Sequence, residues 1–184
     1  MQNKALKTLF IFNGIFVFAA SLLGPLYAVF VETIDANIIS VSISWSVFLI
    51  STTLCMLVVR RYGDFIAEKE YLLIAGYLVR ALAWFLFPSL STVFGLILLQ
   101  GLLGLGEALG TPAYDAIFAE HLEKDKHVKN YSEWKLISNI LGAVAVVLGG
   151  ILVNEVGFSI LFYVMGTLAL LSAIGIWTKP RRLL

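Results

Sequence analysis

Six long apolar stretches, separated by short polar breaks, dominate the sequence. A membrane-spanning helix needs about 20 mostly apolar residues, and its backbone groups must find hydrogen-bond partners within their own segment. We therefore interpret each stretch as a transmembrane helix. The predicted helices, called spans 1 to 6 below, cover roughly residues 8–31, 38–59, 71–88, 92–118, 134–153 and 158–177.

The composition supports this interpretation and predicts one six-helix transmembrane domain over residues 1–184. Hydrophobic residues make up 60% of the chain and charged residues 14%, which leaves too little polar surface to cover a water-soluble globule. The predicted fold class is therefore an all-α, multi-pass integral membrane protein, and its first partner is the lipid bilayer. Span 1 is too long for the apolar core of a signal peptide, so we expect it to be retained.

The lysines and arginines outside the spans all fall on alternate loops. Loops rich in these residues face the cytoplasm. We therefore predict that both termini, the 60–70 loop and the 120–131 segment are cytoplasmic, in an inner or plasma membrane. The twelve cations are Lys4, Lys7, Arg60, Arg61, Lys69, Lys124, Lys126, Lys129, Lys135, Lys179, Arg181 and Arg182.

The residue types argue against an enzyme, a metal or a cofactor. The one cysteine, Cys55, excludes a disulfide framework and a multi-cysteine metal site. The two histidines of segment 119–131 have no third ligand of that kind, so the segment is interpreted as a solvated loop or surface helix. No phosphate-binding loop or nucleophile–base set is recognisable. The net charge of +1 gives no reason to expect nucleic acid.

Spans 1 and 4 carry similar strings. Span 1 contains L-G-P-L-Y at 23–27, and span 4 contains L-G-T-P-A-Y at 109–114. The two spans run in opposite directions, so the echo favours an inverted three-plus-three repeat, which is typical of secondary transporters. A chance similarity is the alternative, because these residues are common in membrane helices.

Spans 4 and 5 resemble those of the major facilitator superfamily. The strings are Q-G-L-L-G-L-G-E-A at 100–108, T-P-A-Y at 111–114, A-I-F-A-E at 116–120, S-N-I-L-G at 138–142 and L-G-G-I-L at 148–152. The resemblance covers nearly the whole chain and implies the N-terminal six-helix half of a twelve-helix transporter.

The cytoplasmic loop after span 2 resembles the charged loop motif of that family only in part. Asp64 and Lys69 stand at the expected places, and Glu120 closes the matching string of span 4. Span 4 has Gln100 where the family often has an arginine, and span 5 has Ala145 and Val146 where many antiporters have Gly-Pro. These departures count against a drug/proton antiporter.

Apart from Lys135 at the very start of span 5, three charged residues lie inside the spans, namely Arg80, Glu107 and Asp115. Charges in the membrane interior are costly and are candidates for transport or ion coupling. Arg80 and Glu107 lie at similar depths on antiparallel helices, so we predict that they pair. A static ion pair is the alternative to a functional one, and Asp115 is close enough to the membrane surface to reach water.

Two aromatic residues, Tyr77 and Trp84, share a helix face with Arg80. A cation–π contact and an ordinary packing stripe are the two interpretations of this spacing. The resemblance further implies that spans 1, 2, 4 and 5 line a central cavity. The polar and amphipathic cavity candidates on these spans are Asn13, Tyr27, Trp45, Gln100, Tyr114 and Asn139.

The resemblance implies a secondary active transporter, or half of one, that moves a small organic solute by alternating access. Protons are candidate coupling ions. Because both halves of such transporters share one orientation, we expect a parallel homodimer or a pairing with another six-helix half. In the homodimer, Asp64 is expected near residues 131–135 of the second copy or, alternatively, paired within its own loop. A non-transporting six-helix membrane protein that is truncated, engineered or an assembly-partner half is the alternative from another class.

Overall fold

The computed structural model describes residues 4–66, 68–122 and 125–179. Three of the cations on which the predicted orientation rests, Lys124, Arg181 and Arg182, fall outside these ranges. The described ranges contain seven α-helices and no strand. The helices are α1 (Lys4–Leu23), α2 (Leu26–Glu32), α3 (Ile38–Tyr62), α4 (Lys69–Leu86), α5 (Val93–Glu120), α6 (His127–Val156) and α7 (Phe158–Trp177).

Six of these helices, all except α2, are long and apolar enough to cross a membrane. Together, α1 and α2 form span 1, and α3 to α7 form spans 2 to 6. The chain is thus an all-helical, multi-pass integral membrane protein. The helices of spans 4 and 5 continue beyond the predicted apolar stretches on the side of the segment that connects them. Helix α5 continues to Glu120, and α6 already begins at His127.

Span 1 is interrupted near its C-terminal end. Gly24 has a positive φ of 27°, which an L-residue with a side chain rarely adopts, and Pro25 caps the N-terminus of α2. The echoing proline of span 4, Pro112, lies inside the continuous helix α5. The two similar strings therefore have different backbone conformations.

The closest helix pairs are α3 with α5, α4 with α5, α4 with α7, α1 with α6, and α1 with α7. If spans 1, 2 and 3 change places with spans 4, 5 and 6, respectively, the same five pairs result. The pattern agrees with the predicted inverted repeat, but packing pairs alone do not test it, and it stays a prediction.

Glycines permit close approach where α6 crosses α1 and where α5 crosses α3. A Cβ on Gly149 would lie 2.0 Å from the backbone oxygen of Leu22, and one on Gly104 would lie 2.7 Å from that of Phe48. The Ser51 hydroxyl also donates a 2.8 Å hydrogen bond to the carbonyl oxygen of Gly101. Small residues at helix crossings allow backbones to pack closely in membranes.

Spans 2 and 5 are the least covered by the rest of the chain. Only 11% of the most apolar 18-residue stretch of α3, and 11% of that of α6, is buried, against 39–50% in the other four spans. These two helices therefore present the largest apolar faces to their surroundings.

Candidate functional site

A central cavity of about 610 Å³ lies between α1, α4, α5 and α6. Its volume falls within the range of small-molecule sites. Span 3 thus lines this cavity in place of span 2, which the resemblance had predicted. The polar residues in its lining are Asn13, Ser21, Tyr77, Arg80, Glu107, Thr111, Tyr114, Asp115, Lys135, Ser138 and Asn139.

The predicted pair of Arg80 and Glu107 is confirmed. The Arg80 Nη2 and Glu107 Oε2 atoms are 2.7 Å apart, and Nη2 also lies 3.3 Å from the carbonyl oxygen of Gly106 and from Oγ1 of Thr111. Arg80 is 8% exposed, whereas the Glu107 side chain is 30% exposed. The arginine is therefore enclosed, and the carboxylate faces the cavity.

The cation–π contact of Arg80 is made with a residue that the sequence analysis missed. The guanidinium carbon lies 4.7 Å from the ring centre of Phe16 on α1. Tyr77 and Trp84 stack on the same ring, with centroid distances of 4.4 and 5.7 Å. The aromatic residues on the arginine's own helix thus hold Phe16, and Phe16 contacts the charge.

Thr111 connects Glu107 with the mouth of the cavity. Its hydroxyl donates a 2.5 Å hydrogen bond to Oε1 of Glu107. Asp115 follows four residues later on the same helix face and is exposed at the cavity wall. A carboxylate, a hydroxyl and a second carboxylate therefore line one edge of the cavity. The i, i+4, i+8 spacing of Glu107, Thr111 and Asp115 was visible in the sequence, but only the two acids were predicted as functional residues.

Three predicted cavity residues lie in the lining, namely Asn13, Tyr114 and Asn139. The Tyr77 hydroxyl donates a 2.6 Å hydrogen bond to Oδ1 of Asn13. The buried hydroxyl of Tyr114 also interacts with Asn13, although it makes no hydrogen bond of ordinary length and angle within the described residues.

The other three predicted cavity residues, Tyr27, Trp45 and Gln100, are not in the lining of this cavity. The Tyr27 hydroxyl lies 2.6 Å from that of Ser44 and accepts a hydrogen bond from Nε2 of Gln100. The Trp45 ring centre is 5.6 Å from that of Tyr27. Gln100 shares a helix face with Glu107 but precedes it by seven residues, about 10 Å along the axis. These residues form a separate cluster.

The sequence profile of the Major Facilitator Superfamily matches residues 9–183. This chain belongs to the major facilitator superfamily. It is 28% identical over 160 residues to the uncharacterized MFS-type transporter YitZ of Bacillus subtilis, an alignment that covers 85% of this chain and 95% of YitZ. It is 22% identical over 152 residues to the uncharacterized MFS-type transporter MJ1560 of Methanocaldococcus jannaschii, with 83% of this chain and 39% of that protein covered.

Two of the three residues assigned to the superfamily's loop motif meet in the structure. Lys69 at the start of α4 forms an ion pair with Glu120 at the end of α5. Asp64 lies exposed in the short 3₁₀ turn Gly63–Phe65 and makes no ion pair within the described ranges. The alternative pairing of Asp64 with Arg60, Arg61 or Lys69 is therefore not observed.

Proposed function

We propose that this superfamily member is a secondary active transporter, or half of one, that moves a small organic solute by alternating access. The observation that supports it most is the half-covered carboxylate of Glu107, paired with buried Arg80 at the wall of a polar cavity. An intramembrane charge is costly to keep, and its usual roles are in substrate or ion pathways.

The coupling step that we propose is protonation of Glu107. A neutral carboxyl group attracts the Arg80 guanidinium much less than a carboxylate does, because the Coulomb attraction is lost. Arg80 would then be free to move or to hold an anionic group of the solute. Asp115, at the cavity mouth, would pass protons towards Glu107 through water and the hydroxyl of Thr111.

A parallel homodimer is the assembly that we propose, with pairing to another six-helix half as its alternative. The poorly covered faces of α3 and α6 are available for a partner. The relative YitZ has nearly the same length as the matched region, since 95% of it is covered. Two copies would then stand where a full-length superfamily member has its two halves.

The loop cations support an orientation in which both termini face the cytoplasm. In the proposed dimer, Asp64 of one copy approaches the first turn of α6 of the other copy. Helix α6 begins at His127, and the N–H of Asn130 already donates to the carbonyl oxygen of Lys126, so the free backbone N–H groups of its first turn lie in residues 127–129 and not at 131–135. An exposed carboxylate beside such groups is stabilised by about 0.3–1 kcal/mol. This contribution favours one state of the transporter, but it is too small to hold the dimer together.

A non-transporting membrane protein is the second candidate function. One observation favours it: most polar groups within the spans are paired inside a single chain, as in the Asn13–Tyr77 and Tyr27–Gln100 hydrogen bonds. The partly exposed carboxylate of Glu107 at the wall of the central cavity favours transport instead.

Uptake by proteoliposomes tests the proposal. The purified protein is reconstituted and assayed against a panel of neutral, cationic and anionic organic solutes, with and without a proton gradient. We expect gradient-dependent uptake of at least one class, its loss in Glu107→Gln, and its retention in Glu155→Gln, which changes an exposed carboxylate outside the cavity. Uptake by Glu107→Gln that still follows the gradient would refute the coupling role.

A further inference from the structure

A second cavity lies on the other side of α6 from the central cavity. It has a volume of about 420 Å³ and lies between α1, α6 and α7. Ile137 and Leu141 of α6 line it, whereas Trp134, Ser138 and Asn139 of the same helix line the central cavity. We call this second cavity the lateral groove.

The lateral groove is apolar along nearly its whole length. Leu168 forms its wall on α7. Its wall on α1 consists of residues that recur at the spacing of one helix face, namely Phe10, Ile11, Gly14, Ile15 and Phe18. A Cβ on Gly14 would lie 3.1 Å from Cδ1 of Leu141, so the absence of a side chain there lets Leu141 of α6 pack closely against α1.

One cation, Lys7, lies at the end of the groove nearest the N-terminus of α1. Lys7 is the only charged residue of the lining and is exposed. It has no ion pair within residues 4–66, 68–122 and 125–179. The site therefore combines a long apolar wall with one uncompensated positive charge at its end.

The groove has the depth of one membrane leaflet. From Lys7 to Phe18 the α1 axis rises about 16 Å, roughly half of the hydrocarbon core of about 30 Å. Lysine side chains near helix ends place their ammonium group at the level of the lipid headgroups. Its length and the position of its charge thus match a single phospholipid.

We propose that the lateral groove binds an anionic phospholipid, with one acyl chain between α1, α6 and α7 and the phosphate beside Lys7. The negative charge of the lipid complements the lone cation, and the chain fills the apolar wall. The proposal does not depend on transport, because α6 separates this groove from the central cavity. A solute in the central cavity would contact the face of α6 opposite to the lateral groove.

Native mass spectrometry of the purified full chain tests this assignment. The protein is titrated with phosphatidylglycerol and with phosphatidylcholine of the same chain length. We expect about a fivefold preference for phosphatidylglycerol, the ratio that one cation near an anionic surface provides. Lys7→Gln should lose the preference. Lys129→Gln, which removes a cation that lies 3.9 Å from Glu133, should retain it.

A second variant tests the apolar wall separately. Ile11→Trp adds bulk at a half-exposed position of the groove and should weaken the binding of both lipids without changing their ratio. Inorganic phosphate in excess should not displace the bound lipid. Equal binding of the two lipids by the unmodified protein, or an unchanged preference in Lys7→Gln, would overturn the proposal.

Discussion

Arg80 of α4 lies in a site whose contacts come from two other helices. Glu107 and Thr111 of α5 bind its Nη2 atom, and Phe16 of α1 covers its guanidinium. The carboxylate side of the pair is partly exposed, whereas the guanidinium is buried and depends on Glu107 for its counter-charge. A buried ion pair is weak evidence for stability, but removal of one partner is destabilising because the other charge stays buried.

A double-mutant cycle on Arg80 and Glu107 measures this dependence. Each of Arg80→Gln and Glu107→Gln should lower the free energy of unfolding by about 1–3 kcal/mol, the cost of one buried group left without its partner. The double variant should lose less than the sum, with a coupling energy of roughly 0.5–3 kcal/mol. Thermal unfolding in detergent provides the measurement. Asp115→Asn, an exposed carboxylate on the same helix, is the control and should shift stability little; additive single effects would contradict the pair.

The sequence predicted this pair because two buried charges of opposite sign lie at equal depths on adjacent antiparallel helices. It did not predict Phe16, since an aromatic residue in an apolar helix carries no signal of the cation that it covers. The sequence analysis also placed Tyr27 and Gln100 in the central cavity, because a helix face shows which way a side chain points but not how deep in the membrane it lies. Their separate position depends on the break at Gly24, which brings Tyr27 next to Ser44.

At the scale of helices, the lipid bilayer makes the transmembrane helices predictable from the sequence. The hydrocarbon thickness sets the length of each apolar stretch, so all six spans coincide with helices. The ends are less predictable because a helix can continue beyond the apolar stretch into a charged segment, as α6 does from His127 to Glu133. Proline is equally ambiguous: Pro25 begins a new helix, whereas Pro112 is accommodated inside α5.

Two neighbouring glycines of α6 provide a matched test of helix packing. A Cβ on Gly149 would collide with the Leu22 backbone of α1, whereas one on Gly150 has nothing within 4 Å. Gly149→Ala should therefore lower the free energy of unfolding by about 1–3 kcal/mol, the usual cost of overpacking. Gly150→Ala should leave it unchanged or raise it by up to about 1 kcal/mol. Equal melting temperatures of the two variants would contradict the close crossing of α1 and α6.

At the scale of the whole molecule, the proposed dimer places α3 and α6 against a second copy. Disulfide cross-linking tests it in a Cys55→Ser background. Asp64→Cys combined with Val128→Cys, at the exposed start of α6, should give a covalent dimer in membranes and in detergent. The pair of Asp64→Cys and Glu155→Cys, with its cysteines at opposite ends of the spans, should not. A monomer at every protein concentration would end the homodimer hypothesis.

Alternating access is the central claim, and cysteine accessibility tests it most directly because no substrate needs to be known. Ala143→Cys, also in the Cys55→Ser background, places a thiol in the wall of the central cavity. Asp35→Cys and Ile66→Cys mark the predicted outer and cytoplasmic sides. The measurement is labelling by a membrane-impermeant maleimide in right-side-out and inside-out vesicles. We predict that residue 143 is labelled from both sides, while 35 and 66 are each labelled from one side only. Labelling of residue 143 from a single side under all conditions would contradict transport.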